Sequence, residues 1–143
     1  MPAPASLVAL ARAAAVDHQL DAALVCAIVE QESSWNPFAI RYEPAFRARY
    51  VAPLRLTPTE EIARSVSWGL MQVMGQEARE RGFSGPFLSA LCEPSMGLSV
   101  GCAALAAKFA NAKGDVAGAL ALWNGGANAS YTAQVLARMA SYK

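Results

Sequence analysis

Apolar residues recur at helical spacing along almost the whole chain. Leu24, Val25, Ile28 and Val29 mark one such face, and the uninterrupted apolar run 22–29 around them asks to be buried on more than one side. The pattern predicts helices over residues 6–16, 21–33, 59–64, 68–81, 87–92, 94–112, 116–123 and 131–142. Punctuation supports these limits. Asp21 and Asp115 suit N-caps, and Thr57-Pro58-Thr59-Glu60 reads as a capping box with proline at the first helical position. Gly82 and Gly114 are placed to end helices in the left-handed region. No period-two run carries hairpin chemistry, so the expected fold is mostly α with little or no sheet. Residues 35–56, rich in arginine, aromatics and proline, form the least regular stretch. A long connection of this kind is often functional, which makes it the expected wall of a groove.

Composition narrows the class. The chain has 143 residues, 55% hydrophobic and 16% charged, which fits one domain burying roughly 70% of its unfolded surface. A formal net charge of +1 gives no reason to expect a nucleic-acid partner, and no apolar run is long enough for membrane insertion. Cys26, Cys92 and Cys102 lack metal-ligand spacing and His18 is the lone histidine, so neither metal nor cofactor is expected. Cys26 reads as a buried thiol, and Cys92 and Cys102 either pair or stay as two inert thiols. Met1-Pro2-Ala3-Pro4, with no basic residue before Arg12, lacks the charged region of a secretory signal.

The candidate chemistry sits where the apolar helix stops. Glu32 falls in its last turn, just before Ser33-Ser34-Trp35-Asn36-Pro37, and the residue before a proline leaves the α region. Burial and the carbonyl ends of the helix both disfavour the ionised form of this carboxylate. A carboxyl held protonated near neutral pH can act as the acid in glycosidic cleavage. Glu30, two positions earlier, points to another face. Two further segments stand out: Ser67-Trp68-Gly69-Leu70-Met71-Gln72 and Leu122-Trp123-Asn124-Gly125-Gly126.

In that order, Glu32-Ser33, Gly69-Leu70-Met71-Gln72 and Trp123-Asn124-Gly125 resemble the motifs of the soluble lytic transglycosylase and goose-type lysozyme superfamily. The resemblance covers about residues 20–135 and implies a single lysozyme-like helical domain, here 1–143, that cleaves the β-1,4 bond between N-acetylmuramic acid and N-acetylglucosamine. It implies Glu32 as the acid, with Ser33 either orienting that carboxyl or bonding backbone. The turn holding Gly69, Met71 and Gln72, read as a helix N-terminus, would line the groove, with Leu70 in the core. Trp68 is either a sugar platform or a core residue. Asn124 would bind substrate. Trp123 stands where the family usually has a tyrosine that donates toward the carboxylate; its indole offers one N–H and no acceptor. Tyr131 fits an aromatic near the groove or helix packing.

Glu43, eleven positions after Glu32 in Arg41-Tyr42-Glu43-Pro44, is similar to the second glutamate of phage-type muramidases. Facing the groove it would activate a water and give hydrolysis; paired with Arg41 or Arg47 it would be structural. Without it, Glu32 acts twice and leaves a 1,6-anhydromuramic end. A binding module without turnover is the third reading. Glu60-Glu61 and Glu77 with Glu80 read as solvated helix faces. The expected partner is the peptidoglycan glycan strand, met by a monomer in the periplasm or at the wall and delivered by a phage or other machinery.

Overall fold

The computed structural model describes residues 2–126 and 128–143. Helix α1 (Ala5–Asp17) leads into α2 (Ala22–Ser33), which begins at the expected cap: Asp21 accepts from the Ala23 and Leu24 amides at 2.8 and 3.2 Å. Every residue from Ala23 to Val29 is buried, because α2 packs against α1 on one side and the C-terminal helix on another. Leu24, Val25, Ile28 and Val29 meet Leu98, Leu105, Leu120 and Val135 in one core. Each such side chain contributes about 1.5–3 kcal/mol on burial. The helix stops because Ser34 and Trp35 both take positive φ, 50° and 64°, which turns the chain before Asn36-Pro37. Trp35 stays in the core and donates its indole N–H to Tyr142 Oη at 2.9 Å.

The segment expected to be irregular is largely ordered. It holds strand β1 (Ile40–Tyr42) and α3 (Pro44–Phe46), which runs on into a π-helical turn (Arg47–Val51) and a 3-10 turn (Ala52–Leu54). Helix α4 (Pro58–Arg64) starts at Thr57 with proline at its first turn, but no capping box forms. Glu60 instead accepts from Arg64 at 2.8 Å and Arg79 at 2.7 Å.

The expected helix over 68–81 is corrected at its first half. Strands β2 (Val66–Trp68) and β3 (Val73–Met74) form an antiparallel hairpin, and only α5 (Gly75–Glu80) is helical. Gly69 and Gln72 take φ of 74° and 52°, which a helix cannot contain, and the Gly69 amide is spent on Ala39 O at 2.8 Å. A Cβ on Gly69 would lie 2.5 Å from Leu91 O, so this turn needs glycine for space as well as for φ. With β1 the hairpin completes a three-stranded sheet in the order β1-β2-β3. Strands of two or three residues are too short to show period-two patterning, which is why the sheet was not expected.

The remaining elements follow the apolar spacing closely. A 3-10 turn (Leu88–Cys92) precedes α6 (Pro94–Asn111), capped by the Glu93 carboxylate on the Ser95 and Met96 amides. Asp115 caps α7 (Val116–Asn124) through the Gly118 amide, and α8 (Tyr131–Met139) ends in a 3-10 turn (Ala140–Tyr142). Gly82 and Gly114 do take positive φ. The three cysteines are free thiols; Cys26 and Cys102 are buried, and burial pushes Cys102 up to about 12. Among the described residues no helix is long and apolar enough to cross a membrane.

Candidate active site

Glu32 ends α2 half-buried, with its carboxyl turned toward α7 and α8. Its Oε1 accepts two hydrogen bonds, from Tyr131 Oη at 2.7 Å and from the Trp123 indole N–H at 3.2 Å. No described residue donates to Oε2, and no buried side-chain polar atom lacks a partner, so Oε2 is accessible, on a residue that lines the adjoining cavity. Burial raises the pKa of Glu32 above its ordinary value. The Tyr131 and Trp123 bonds and the positive charge of Arg41 offset only part of that. Tyr131 is itself buried, and burial together with the Glu32 charge drives its phenol far above the usual range, so it remains a donor.

A cavity of about 320 Å³ lies against Glu32. One wall is a single face of the sheet: Arg41 pairs with Ser67 and Ser67 with Met74 across the strands, and all three line the space. Gln72, Glu43 and Asn124 also reach it, so neutral hydrogen-bonding groups face a cavity that holds carboxylates. Glu43 is paired with Arg41 at 2.6 Å, whereas Arg47 is engaged by Glu61. Gln72 is held by its own bonds, donating to Ala39 O and Gly69 O and accepting from Ser67 Oγ at 2.8 Å. Asn124 donates to Asn128 O at 3.0 Å.

Several expected positions lie elsewhere. Met71 is fully buried and packs on Gly101, with Sδ 3.9 Å from Cys102 Sγ; it belongs to the core and cannot meet a ligand. Gly69 is buried behind the turn and shapes it from outside the cavity. The Ser33 hydroxyl donates to backbone, at 2.8 Å from Leu70 O and 3.0 Å from Val29 O, and thereby ties the helix end to the hairpin turn without touching Glu32. Trp68 is half-buried with its N–H on Ala63 O, on the sheet face opposite the cavity. Glu30 faces away, bonded to Tyr142 and Arg138. Arg41 and Phe46 line the cavity from the stretch 35–56 expected to wall it, and Ser67, Val73, Met74 and Glu77 line it without having been singled out.

Residues 9–141 match the family of the transglycosylase SLT domain. The chain belongs to that family. No curated protein and no solved structure matches it. The SLT family comprises lytic transglycosylases that cleave peptidoglycan, so the chain is an enzyme of cell-wall degradation, acting on peptidoglycan. In this SLT domain the half-buried carboxyl, with one oxygen held and the other open, lies at the junction of helices and sheet.

Proposed function

We propose that this SLT domain is a lytic transglycosylase in which Glu32 is acid first and base second, acting on the β-1,4 bond between N-acetylmuramic acid and N-acetylglucosamine. The observation that carries this is the asymmetry of the Glu32 carboxyl. With Oε1 accepting two hydrogen bonds, the proton of the neutral acid resides on Oε2, the accessible oxygen. From there it passes to the glycosidic oxygen as the C1–O bond breaks and positive charge grows on the muramic ring. The carboxylate left behind is stabilised by Tyr131 and Trp123 and then takes the proton of the C6 hydroxyl. The C6 oxygen closes on C1, and the product is a 1,6-anhydromuramic end with no water consumed. Trp123 supports the carboxylate with its N–H, the half of the work that an indole can do in place of a tyrosine. Gln72, Ser67 and Asn124 supply the polar contacts to the sugars.

A second reading, hydrolysis, rests on Glu43 lining the same cavity as Glu32. Its carboxylate is engaged by Arg41 at 2.6 Å, which competes with any water it would activate and favours the first reading. Mass spectrometry of fragments released from purified peptidoglycan separates the two. Anhydromuramic ends, lost in Glu32→Gln and retained within about threefold in Glu43→Gln, support the transglycosylase. Products heavier by one water that vanish in Glu43→Gln replace it with the hydrolase.

A further inference from the structure

The active-site cavity shares a wall with a second one. Phe46, Met74 and Glu77 line both, and the second, of about 490 Å³, is the larger. Its chemistry is different. The catalytic cavity sets a hydroxyl and two amides among Glu32 and the Arg41–Glu43 pair, whereas the polar lining of the second is almost wholly charged: Glu77, which it shares, with Glu80, Arg81 and Lys108. Its one amide, Gln76, is already used on Glu80 at 2.8 Å. Sequence patterning put Glu77 and Glu80 on a solvated face, but α5, packed against α4 and α6, sets them at the rim of this space.

The charges are arranged with spare capacity. Glu77 lies between Arg81 and Lys108, 3.2 Å from each, which holds two cations side by side. Lys108 carries three N–H donors and uses one of them there. Glu80 has no cation partner among the described residues. Phe46 and Tyr50, with ring centroids 5.0 Å apart, add an aromatic surface. A neutral sugar gains little from such a set; a ligand bearing both signs of charge on an aliphatic stem matches it.

We propose that this second cavity binds the peptide branch of peptidoglycan, with Glu80 taking an ammonium and Lys108 a carboxylate of one diamino-dicarboxylic side chain. The proposal rests on the peptidoglycan-directed reading above and adds to it the part of the substrate recognised. The test uses the whole chain carrying Glu32→Gln to prevent turnover, titrated by NMR chemical shift with three probes. These are N-acetylmuramic acid alone, the same sugar bearing a tetrapeptide with meso-diaminopimelate, and the sugar bearing the lysine tetrapeptide. The expected result is an affinity about tenfold higher with the diaminopimelate peptide than with bare sugar, as two or three exposed ionic contacts would give. The lysine form, lacking the side-chain carboxylate, binds about threefold more weakly than the diaminopimelate form. Glu80→Gln and Lys108→Met each weaken the diaminopimelate form by about threefold.

Equal affinity for the sugar with and without peptide, no measurable binding of any probe, or insensitivity to both variants overturns the proposal. Insensitivity would point to a continuation of the sugar groove. Glu80 is exposed and outside every ion pair among the described residues, so Glu80→Gln tests the site without risk to folding. Cleavage of whole walls by the parent is scored separately. An enzyme that releases fragments yet ignores the peptide loses this proposal alone, whereas a chain that releases none loses the reading beneath it.

Discussion

Replacing Tyr131 with phenylalanine deletes one oxygen and leaves the ring in the core. What is lost is the 2.7 Å bond to Glu32 Oε1, the shorter of the two that this oxygen accepts. A hydrogen bond to a charged group contributes about 1.5–3 kcal/mol, a strength this bond reaches once Glu32 is ionised, since the oxygen of the neutral acid accepts it more weakly. The Trp123 N–H, now the sole donor at 3.2 Å, takes up part of the load. The expected loss in kcat/KM on purified walls is therefore about tenfold, at the lower end of that range. The pH profile gives a readout that mere loosening of the fold would not. Tyr131 is among the causes that lower the Glu32 pKa, so removing it lets the pKa rise further above its ordinary value. On the proposed mechanism the active form before the first step is the protonated acid, so activity in Tyr131→Phe should persist to higher pH than in the parent. A profile whose alkaline limb stays put or moves down would refute the assignment of the proton to Glu32, whatever happened to the rate.

Glu32 also links pH to stability. Its folded pKa is raised by burial from 4.5, so the folded state favours the proton. No penalty applies below the unfolded value, and stability is lost as pH rises from there through the folded pKa. Glu32→Gln, whose amide oxygen can still accept from Tyr131 and Trp123, should raise Tm at pH 7 relative to the parent and leave it unchanged near pH 3. In Gly97→Ala the added Cβ would meet Leu91 O at 2.4 Å, a backbone atom that cannot step aside. A loss of about 2 kcal/mol, or about 6–8 °C in Tm by calorimetry, is expected. Asp21→Ala removes the acceptor of two amides at the start of α2 and should cost about 1 kcal/mol in denaturant melts.

The helices were legible because their signals are local and repeated. Asp21 and Asp115 cap as read, and the spacing of Leu24, Val25, Ile28 and Val29 led to the core and to Glu32 at its edge. The hairpin was not legible. Gly69 and Gln72 signal only a turn, and the strands on either side are shorter than any pattern that could announce them. That miss decided the fate of the site residues. Once Val66–Met74 folds back on itself, Ser67 and Met74 come to face the cavity while Met71 is driven beneath Gly101. Trp123 was read from one family motif, yet that it shares an oxygen with Tyr131 depends on the packing of α7 against α8. Arg41 lay in the stretch expected to wall the groove and Ser67 in a segment that stood out, but what sets the two on one face is strand register, which joins positions twenty-six apart.

The single open oxygen of Glu32 bears on inhibition. A cationic mimic of the ring charge proposed above finds one acceptor on Glu32, because the other oxygen is filled by Tyr131 and Trp123. An amidinium, whose two parallel N–H groups suit a carboxylate with both oxygens exposed, gains nothing here over a simple ammonium. Either cation should bind more tightly as pH rises and Glu32 loses its proton. Potency against this enzyme is then governed by how well the cation reaches one point, with shape along the sheet wall of Arg41 and Ser67 setting the rest.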